Sequence, residues 1–549
     1  MKKYKNFHPI IFIAVVAAVL LPVNACKKPV SPLEGLELII DYNLIKTTTD
    51  VQFTDVTTGQ TLSGEASRGA YVSYDGPGKE MVVDVLGIAP ANKQFAINRG
   101  IATLAYIPGQ GNEPSMNKSI DLNLITHIPG YLTTVRQSSV TKTGRSFVNV
   151  NVVPLDNPPS GVHVRQAPNA TNTQHGRVVV PVEVQTPGGN ARVIIPEGML
   201  VRDASGNQLQ GNLNVTLVRF DNTNPTAQKC LPGGTIPRVQ RQDGSLQKGM
   251  FFSAGFVAVE ISDEAGRKAA SFDDGTVTLV KQIDPQTYNP LTRTTVAPGD
   301  KVSVWSLNEE TGNWKEEGLA TAELVNNKLQ FTAYLKHLSY YHFAWFTETY
   351  CPSGKPVSFV TDAPLPAPFL IKGSIYRQED NTFIDEILFW VENDQPLFIT
   401  NAPAGTPVYI EWDTEGSPFI NVAPDSQVTY IDDLCSSQPV TVNLHITQDP
   451  NQRTVNIHIS LFCPTDPIVT IKPTFTAYYV PSQGSQVPIP VEMVEGVATI
   501  PGIYLGESYY VWVVYDGEEY GTDVVVTQDT YTYLDYEIPA EICDEINGL

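Results

Sequence analysis

Thiol chemistry has little to work with in this chain: there are six cysteines in 549 residues, with no Cys-x-x-Cys pair and no compact Cys/His cluster. That spacing argues against a zinc ribbon or a dithiol redox centre. Positive charge is also short. Only 36 lysines and arginines face 58 acids, for a formal net charge of −22, and nucleic acid or anionic lipid requires a basic surface that such a chain does not supply. The acidity fits solubility and mutual repulsion at a crowded surface. Gly-x-Ser-x-Gly, a Walker A loop and His-Glu-x-x-His are all missing, so the usual hydrolase, nucleotide and zinc-protease signatures are absent. Scattered serines, histidines and aspartates carry no weight in a protein of this size. The chain reads as non-enzymatic, with no cofactor implied.

Long apolar runs are missing too, except at the amino terminus. There Lys2, Lys3 and Lys5 precede an uncharged stretch from Ile10 to Val23 that ends in Asn24-Ala25-Cys26. A charged start, an apolar stretch too short for a bilayer and a small residue before the cut describe a secretory signal rather than a membrane span. Cysteine directly after the cut resembles the bacterial lipobox, which implies lipidation of Cys26 and removal of residues 1–25. Two or three acyl chains make a stable anchor where one holds only marginally. The leader takes three lysines and no acid with it, so the remaining chain is more acidic still.

What is plentiful is the vocabulary of short strands. The 42 prolines and 40 glycines are scattered, and Thr, Val and Tyr fill the intervals. Leu213, Val215 and Leu217 alternate with Asn214 and Thr216, and Val257, Val259 and Ile261 with Ala258, Glu260 and Ser262, so each segment offers one face for burial. Asp516-Gly517 between Tyr509–Tyr515 and Val524–Val526 signals a hairpin. No segment after the leader sustains helical periodicity. The expected fold is all-β, a string of antiparallel immunoglobulin-like or transthyretin-like sandwiches.

Length allows about three to five domains. After a tether at 26–34, the first candidate is 35–159. Its Ile128-Pro129-Gly130-Tyr131-Leu132 turn and Val152-Val153-Pro154 ending resemble carboxypeptidase regulatory-like and transthyretin-like sandwiches. The second, 160–350, carries Val193-Ile194-Ile195-Pro196-Glu197-Gly198, Asp203-Ala204-Ser205-Gly206-Asn207 and Glu309-Glu310-Thr311-Gly312-Asn313-Trp314. It is similar to the central β-domain of cartilage intermediate layer protein and its bacterial relatives, which implies an extracellular sandwich without a catalytic role.

Residues 351–462 and 463–549 read as two copies of one unit. Both open on Cys-Pro, at Cys351 and Cys463, and each has a later cysteine, Cys435 or Cys543. Ala404–Asp413 parallels Leu505–Val513, which makes Trp412 and Trp512 equivalent core residues. The matched spacing favours bridges Cys351 to Cys435 and Cys463 to Cys543, while a hairpin over 440–461 would instead bring Cys435 near Cys463; sequence alone does not fix connectivity.

Two short constellations deserve a chemical reading. Trp305, Gly312-Asn313-Trp314, Gly318 and His337-Leu338-Ser339 resemble the self-cleavage motif of adhesion G-protein-coupled receptors. The resemblance implies that His337 draws the proton from Ser339, whose oxygen attacks the Leu338 carbonyl. The bracing cysteines of that motif are replaced here by Leu319, Ala333 and Leu335. The expectation is therefore an intact final strand, with His337 hydrogen-bonded and Ser339 facing solvent. In the 440–461 segment, alternation puts Asn443, His445, Asn456 and His458 on one face of the expected hairpin, with the two imidazoles within reach of a shared ion. Two ligands are too few for a closed zinc site, so a solvated polar face is expected and no metal.

Together these features predict a lipid-anchored protein of a Gram-negative outer membrane, of the kind found in the Bacteroides group, on either its periplasmic or its outer face. It would present sandwich domains for binding, adhesion or scaffolding. Its partners are the membrane, through the anchor, and an unidentified protein or glycan, with no nucleic acid. Resemblance in anchor and tandem sandwiches to glycan-capture lipoproteins of polysaccharide-uptake systems gives a second reading, and self-cleavage at Leu338/Ser339 a third.

Overall fold

The computed structural model describes residues 37–537 apart from breaks at 42–44, 46, 86, 110–111, 310, 349, 352–353, 393–396, 401, 448, 464–465, 483–486 and 516–517. Cys26 and Cys543 lie outside the described residues. The protein is all-β, built from stacked sandwich units.

A lone strand, β1 (Glu37–Asp41), precedes the first unit. That unit packs β2 (Thr47–Asp55), β4 (Ile101–Tyr106) and β7 (Gly144–Val152) against β3 (Tyr71–Asp75), β5 (Ile120–His127) and β6 (Val135–Val140). Val51, Phe53, Leu104, Leu122 and Val150 fill its centre. The expected turn is present: Gly130 takes φ +79°, which glycine adopts without steric cost, and the Tyr131 hydroxyl donates to Asp55 Oδ2 at 2.9 Å.

The second unit runs from β8 (Val162–Gln174) through β9 (Ala191–Ile195), β10 (Gly211–Phe220), β11 (Met250–Asp263), β12 (Val277–Gln282), β13 (Lys301–Leu307), β14 (Trp314–Thr321) and β15 (Lys328–Leu335) to β16 (Tyr340–Thr347). One sheet has the order β14-β13-β16-β11-β10-β8, extended by short strands, and faces β9-β12-β15. Leu213, Val215 and Leu217 of β10 and Val257, Val259 and Ile261 of β11 are buried between them, as their alternation predicts.

The third unit comprises β17 (Lys355–Thr361), β18 (Phe369–Arg377), β19 (Phe383–Val391), β20 (Leu397–Ile399), β21 (Val408–Asp413), β22 (Val428–Ile431) and β23 (Val440–Ile446). The fourth comprises β24 (Gln452–Cys463), β25 (Asp466–Pro481), β26 (Ile489–Met493), β27 (Val497–Tyr504), β28 (Ser508–Tyr515), β29 (Glu518–Val525) and β30 (Thr530–Glu537). Most of the pairings correspond. Parallel β17/β23 matches parallel β24/β30, β17/β20 matches β24/β27, and β18 with β19 and β21 matches β25 with β26 and β28. The third and fourth units thus share a pairing plan, and in the fourth that plan begins at Gln452. Cys463 sits at the end of that unit's first strand, so it is not the counterpart of Cys351. The hairpin over 440–461 does not form either: β23 lies between β17 and the Ile420–Val422 strand, while β24 opens the next unit. The connection around Asp449-Pro450-Asn451 has turn chemistry, but it passes the chain between units.

Cys351 and Cys435 are disulfide-bonded, with Cα atoms 5.3 Å apart. The bond excludes the Cys435 to Cys463 alternative. In the first, third and fourth units the first and last strands are adjacent and parallel, so the chain leaves each unit at the end opposite its entry.

The units are not independent beads. The sheet of the first unit continues into the third through β7 and β19, with Phe147 opposite Leu388. Ile125, Val135 and Val153 of the first unit share an apolar cluster with Phe220, Trp305 and Trp314 of the second. Arg145, only 10% exposed, joins Asp50 at 3.2 Å and Glu492 of the fourth unit at 3.0 Å. Lastly, β1 pairs in parallel with β25, from Glu37 opposite Thr470 to Asp41 opposite Thr474. The strand ahead of the first unit is thereby stitched to the fourth.

Non-reducing peptide mapping is expected to recover the Cys351 to Cys435 link. Cys435→Ala should cost about 4 kcal/mol on the chain-entropy account of so long a loop, read as a lower denaturant midpoint for the third unit. The same map tests the expected Cys463 to Cys543 bond.

Candidate functional site

The His337-Leu338-Ser339 segment lies between β15 and β16 and is braced on every side. His337 forms a bridge with Ser271, its Nε2 lies 3.1 Å from Glu317 Oε1, and its carbonyl accepts from the Tyr341 hydroxyl at 2.6 Å. Ser339 is buried rather than solvent-facing, correcting the expectation, and its hydroxyl donates to the Leu307 carbonyl. Self-cleavage needs that oxygen aligned on the Leu338 carbonyl and a base free to take its proton. Here the hydroxyl is committed to another carbonyl and the imidazole to a carboxylate. The hydrogen bond from His337 holds the Glu317 carboxyl down at about 2. Nearby Glu309 is pushed up to about 7 by burial and by the charge of Glu260, while Lys268 pairs with Glu260 at 3.1 Å. These charges serve the seam between the first and second units, and Lys268 in turn lies near Tyr71 and depresses His127 after burial.

The histidine pair is separated by the missing hairpin. His445 on β23 stands opposite Asn421 and its Nδ1 contacts Asp362. His458 on β24 stands between Val497 and Thr532. The two imidazoles face different neighbours in different units, so the pairing that would have shared an ion is not formed. Among the described residues one group has ligand atoms at metal-like spacing, Cys351, Asp433 and Cys435. Its two sulfurs are already bonded to one another, which removes the thiolates a metal would need.

One chemically unusual group gave no sequence signal. Lys281 on β12 is fully buried, donating from Nζ to the carbonyls of Ala254 at 2.7 Å and Gln282 at 3.2 Å. Burial, with the charge of Arg219, lowers it to about 7, the cost of charging an ammonium in a dry core. The Gly255 backbone closes over it at φ +104°, and a Cβ there would fall 2.2 Å from Cε. An amine so enclosed has no room for a substrate. The free thiol of Cys230 is buried and pushed up by burial as well, so it is held as an unreactive thiol.

The tryptophans resolve into two roles. Trp412 turns inward among Ile371, Ile410 and Leu444. Trp512 occupies the matching strand but faces outward, packed with Tyr478 and Val480 against Ile101 of the first unit, so the two are not equivalent. On the outer face of the third unit Tyr376, Tyr409 and Tyr430 stand side by side across β18, β21 and β22, with ring centroids 5.1 and 5.9 Å apart. The inner pair is stacked face to face, and Tyr430 at the edge is 71% exposed.

No protein-family profile matches the chain, and no curated protein does. Solved structures similar to it include the Bacillus anthracis TIE protein, at 9% identity over 68% of this chain and 57% of that one, TM-score 0.14. The chain thus spans just over half the length of that protein. Two others are the full-length major pilin RrgB of Streptococcus pneumoniae, at 7% identity over 90% of this chain and all of that one, TM-score 0.13, and the pilus-presented adhesin Spy0125, at 8% identity over 74% of this chain and all of that one, TM-score 0.15. Likeness of this order carries no argument about what the protein does.

After boiling in denaturant the mature chain should show one mass, without cleavage before Ser339; two fragments merging into one in Ser339→Ala would overturn the reading of this site. Lys281 provides a pH test. Its folded value lies below the ordinary 10.5, so the unfolded chain binds more protons between about 7 and that value, and stability rises with pH in this window. The urea midpoint of the second unit should climb from pH 7 to 9, and Lys281→Met should flatten the climb.

Proposed function

We propose that this is a non-catalytic lipoprotein of the cell envelope, anchored through Cys26, that holds out a packed body of sandwich units for binding or scaffolding. The observation that carries the reading is the docking of β1 on β25. Glu37 lies close behind the proposed lipid site, and its rung, opposite Thr470, is at the end of the fourth unit where β30 also finishes beside Phe462. The lipid then emerges at the end of the fourth unit where β30 finishes, which makes that unit the part nearest the membrane, with the first three units facing away from it. No helix among the described residues is long and apolar enough to cross a membrane, and an acyl anchor needs none.

A second reading, glycan capture, is favoured by one observation, the exposed ring of Tyr430 at the end of the tyrosine row, since sugars stack on aromatic faces. The stacking of Tyr376 on Tyr409 leaves mostly ring edges outward, so this is a single ring rather than a broad platform.

Cys26→Ser should abolish palmitate labelling and move the protein to the soluble fraction; labelling that persists would sink the anchor. Cysteines placed at the Ile39 and Lys472 positions should cross-link in cells, since the two residues are partners in the parallel ladder. If glycan capture is the role, Tyr430→Ala should weaken retention on immobilised polysaccharides by roughly two- to tenfold, in line with an aromatic contact of about 0.5–1.5 kcal/mol.

A further inference from the structure

The third and fourth units share one strand plan, yet only the third is filled. There Ile371, Ile375, Ile410, Val442 and Leu444 are buried, and the centre is plugged by Trp412, which rides over Gly373 so closely that a Cβ on the glycine would come within 2.8 Å of the indole ring. In the fourth unit the corresponding indole, Trp512, is turned to the opposite face to seal the junction with the first unit. Phe475, Tyr479 and Tyr509, all buried, line the interlayer space in its place and leave part of it open. The interlayer positions hold Ile457, Ala477, Val491, Ile500, Val511 and Val524, all half-exposed, and between them lies a cavity of about 100 Å³.

We propose that this space between the sheets of the fourth unit is a binding site for a small uncharged hydrophobic molecule, an aromatic ring or a short alkyl chain. The lining decides the chemistry. No charged side chain contributes to it, and two of the hydroxyls at its margin are already engaged, Tyr509 accepting from the Tyr504 amide at 3.0 Å and Tyr531 from the Thr527 amide at 2.9 Å. Water gains little in such a space because it finds too few polar partners, and apolar cavities of about 150 Å³ stay dry and take up benzene. The half-exposed Thr522 and Val524 on β29, the edge strand of the sheet, offer the way in. A sugar, an ion or a peptide backbone would leave its polar groups unpaired here. The site is independent of the anchor and of Tyr430.

Methyl NMR of isoleucine-labelled Cys26→Ser protein, titrated with toluene, tests this in the full chain whether or not Cys26 is lipidated. Saturable shifts are expected at the methyls of Ile457, Ile500 and Ile503, with none at Ile371 or Ile410 in the filled unit. Val511→Phe should occupy the space and weaken toluene binding at least tenfold. Ala477→Leu serves as a second filling variant, and unchanged spectra for the other units show that each variant is folded. Absence of saturable shifts up to the solubility of toluene, or equal shifts in a folded filling variant, would overturn the proposal.

Discussion

Much of this architecture depends on what one strand can do with its two faces and its edge. Along β7, Val148, Val150 and Val152 face the core of the first unit, while the residues that alternate with them reach outward to each of the other units. Arg145 meets Glu492 of the fourth, Phe147 packs on Trp390 of the third, Asn149 donates to Glu386 of the third at 2.6 Å, and Asn151 to the Lys229 carbonyl of the second at 3.5 Å. The arrangement follows from period-two geometry. A strand with one face in its own core has a second face to give away, and here that face is covered by neighbours instead of water. The buried Asp50 beneath Arg145 makes the junction demanding, because a carboxylate there without its guanidinium would be an uncompensated charge in a dry interior.

Shared clusters and a shared sheet make the units one body, which bears on function. Inter-domain motion is the ordinary expectation when the interface is small and polar. Here apolar side chains from the first unit enter clusters with each of the other three, as Ile125 with Trp305, Phe147 with Trp390 and Ile101 with Trp512 show. A body of this kind keeps its surface features, Tyr430 among them, at fixed separations.

The strands themselves were legible because burial on one face leaves an alternating trace, as on β10 and β11. Pairing was less so. Two alternating segments joined by Asp449-Pro450-Asn451 have the appearance of a hairpin, but β23 finds its partner in β17, far back in the sequence, and alternation does not name partners. The same limit moved the start of the repeat: Cys-Pro recurs at 351 and 463, whereas the recurring object is a pairing pattern that starts at Gln452. Trp412 and Trp512 show a one-residue effect, since neighbouring positions on a strand face opposite ways, and aligning the strands does not align their faces. Ser339 was expected in solvent because a polar residue near a strand end is ordinarily exposed. A carbonyl waiting at Leu307 made burial affordable. Lys281 left no trace at all, since a lone lysine in a strand reads as surface.

The docking of β1 also has a mechanical side. A pull on the amino terminus runs along the axis of a strand held by parallel rungs from Glu37 to Asp41, so the rungs share the load instead of opening one after another. If they yield together, the stretch ahead of Thr47 plays out by about 30 Å at the length of an extended chain, and no sandwich has to unfold. With an anchor at Cys26 as proposed, the clip would act as a fuse, lengthening the tether under shear while the body above it stays intact.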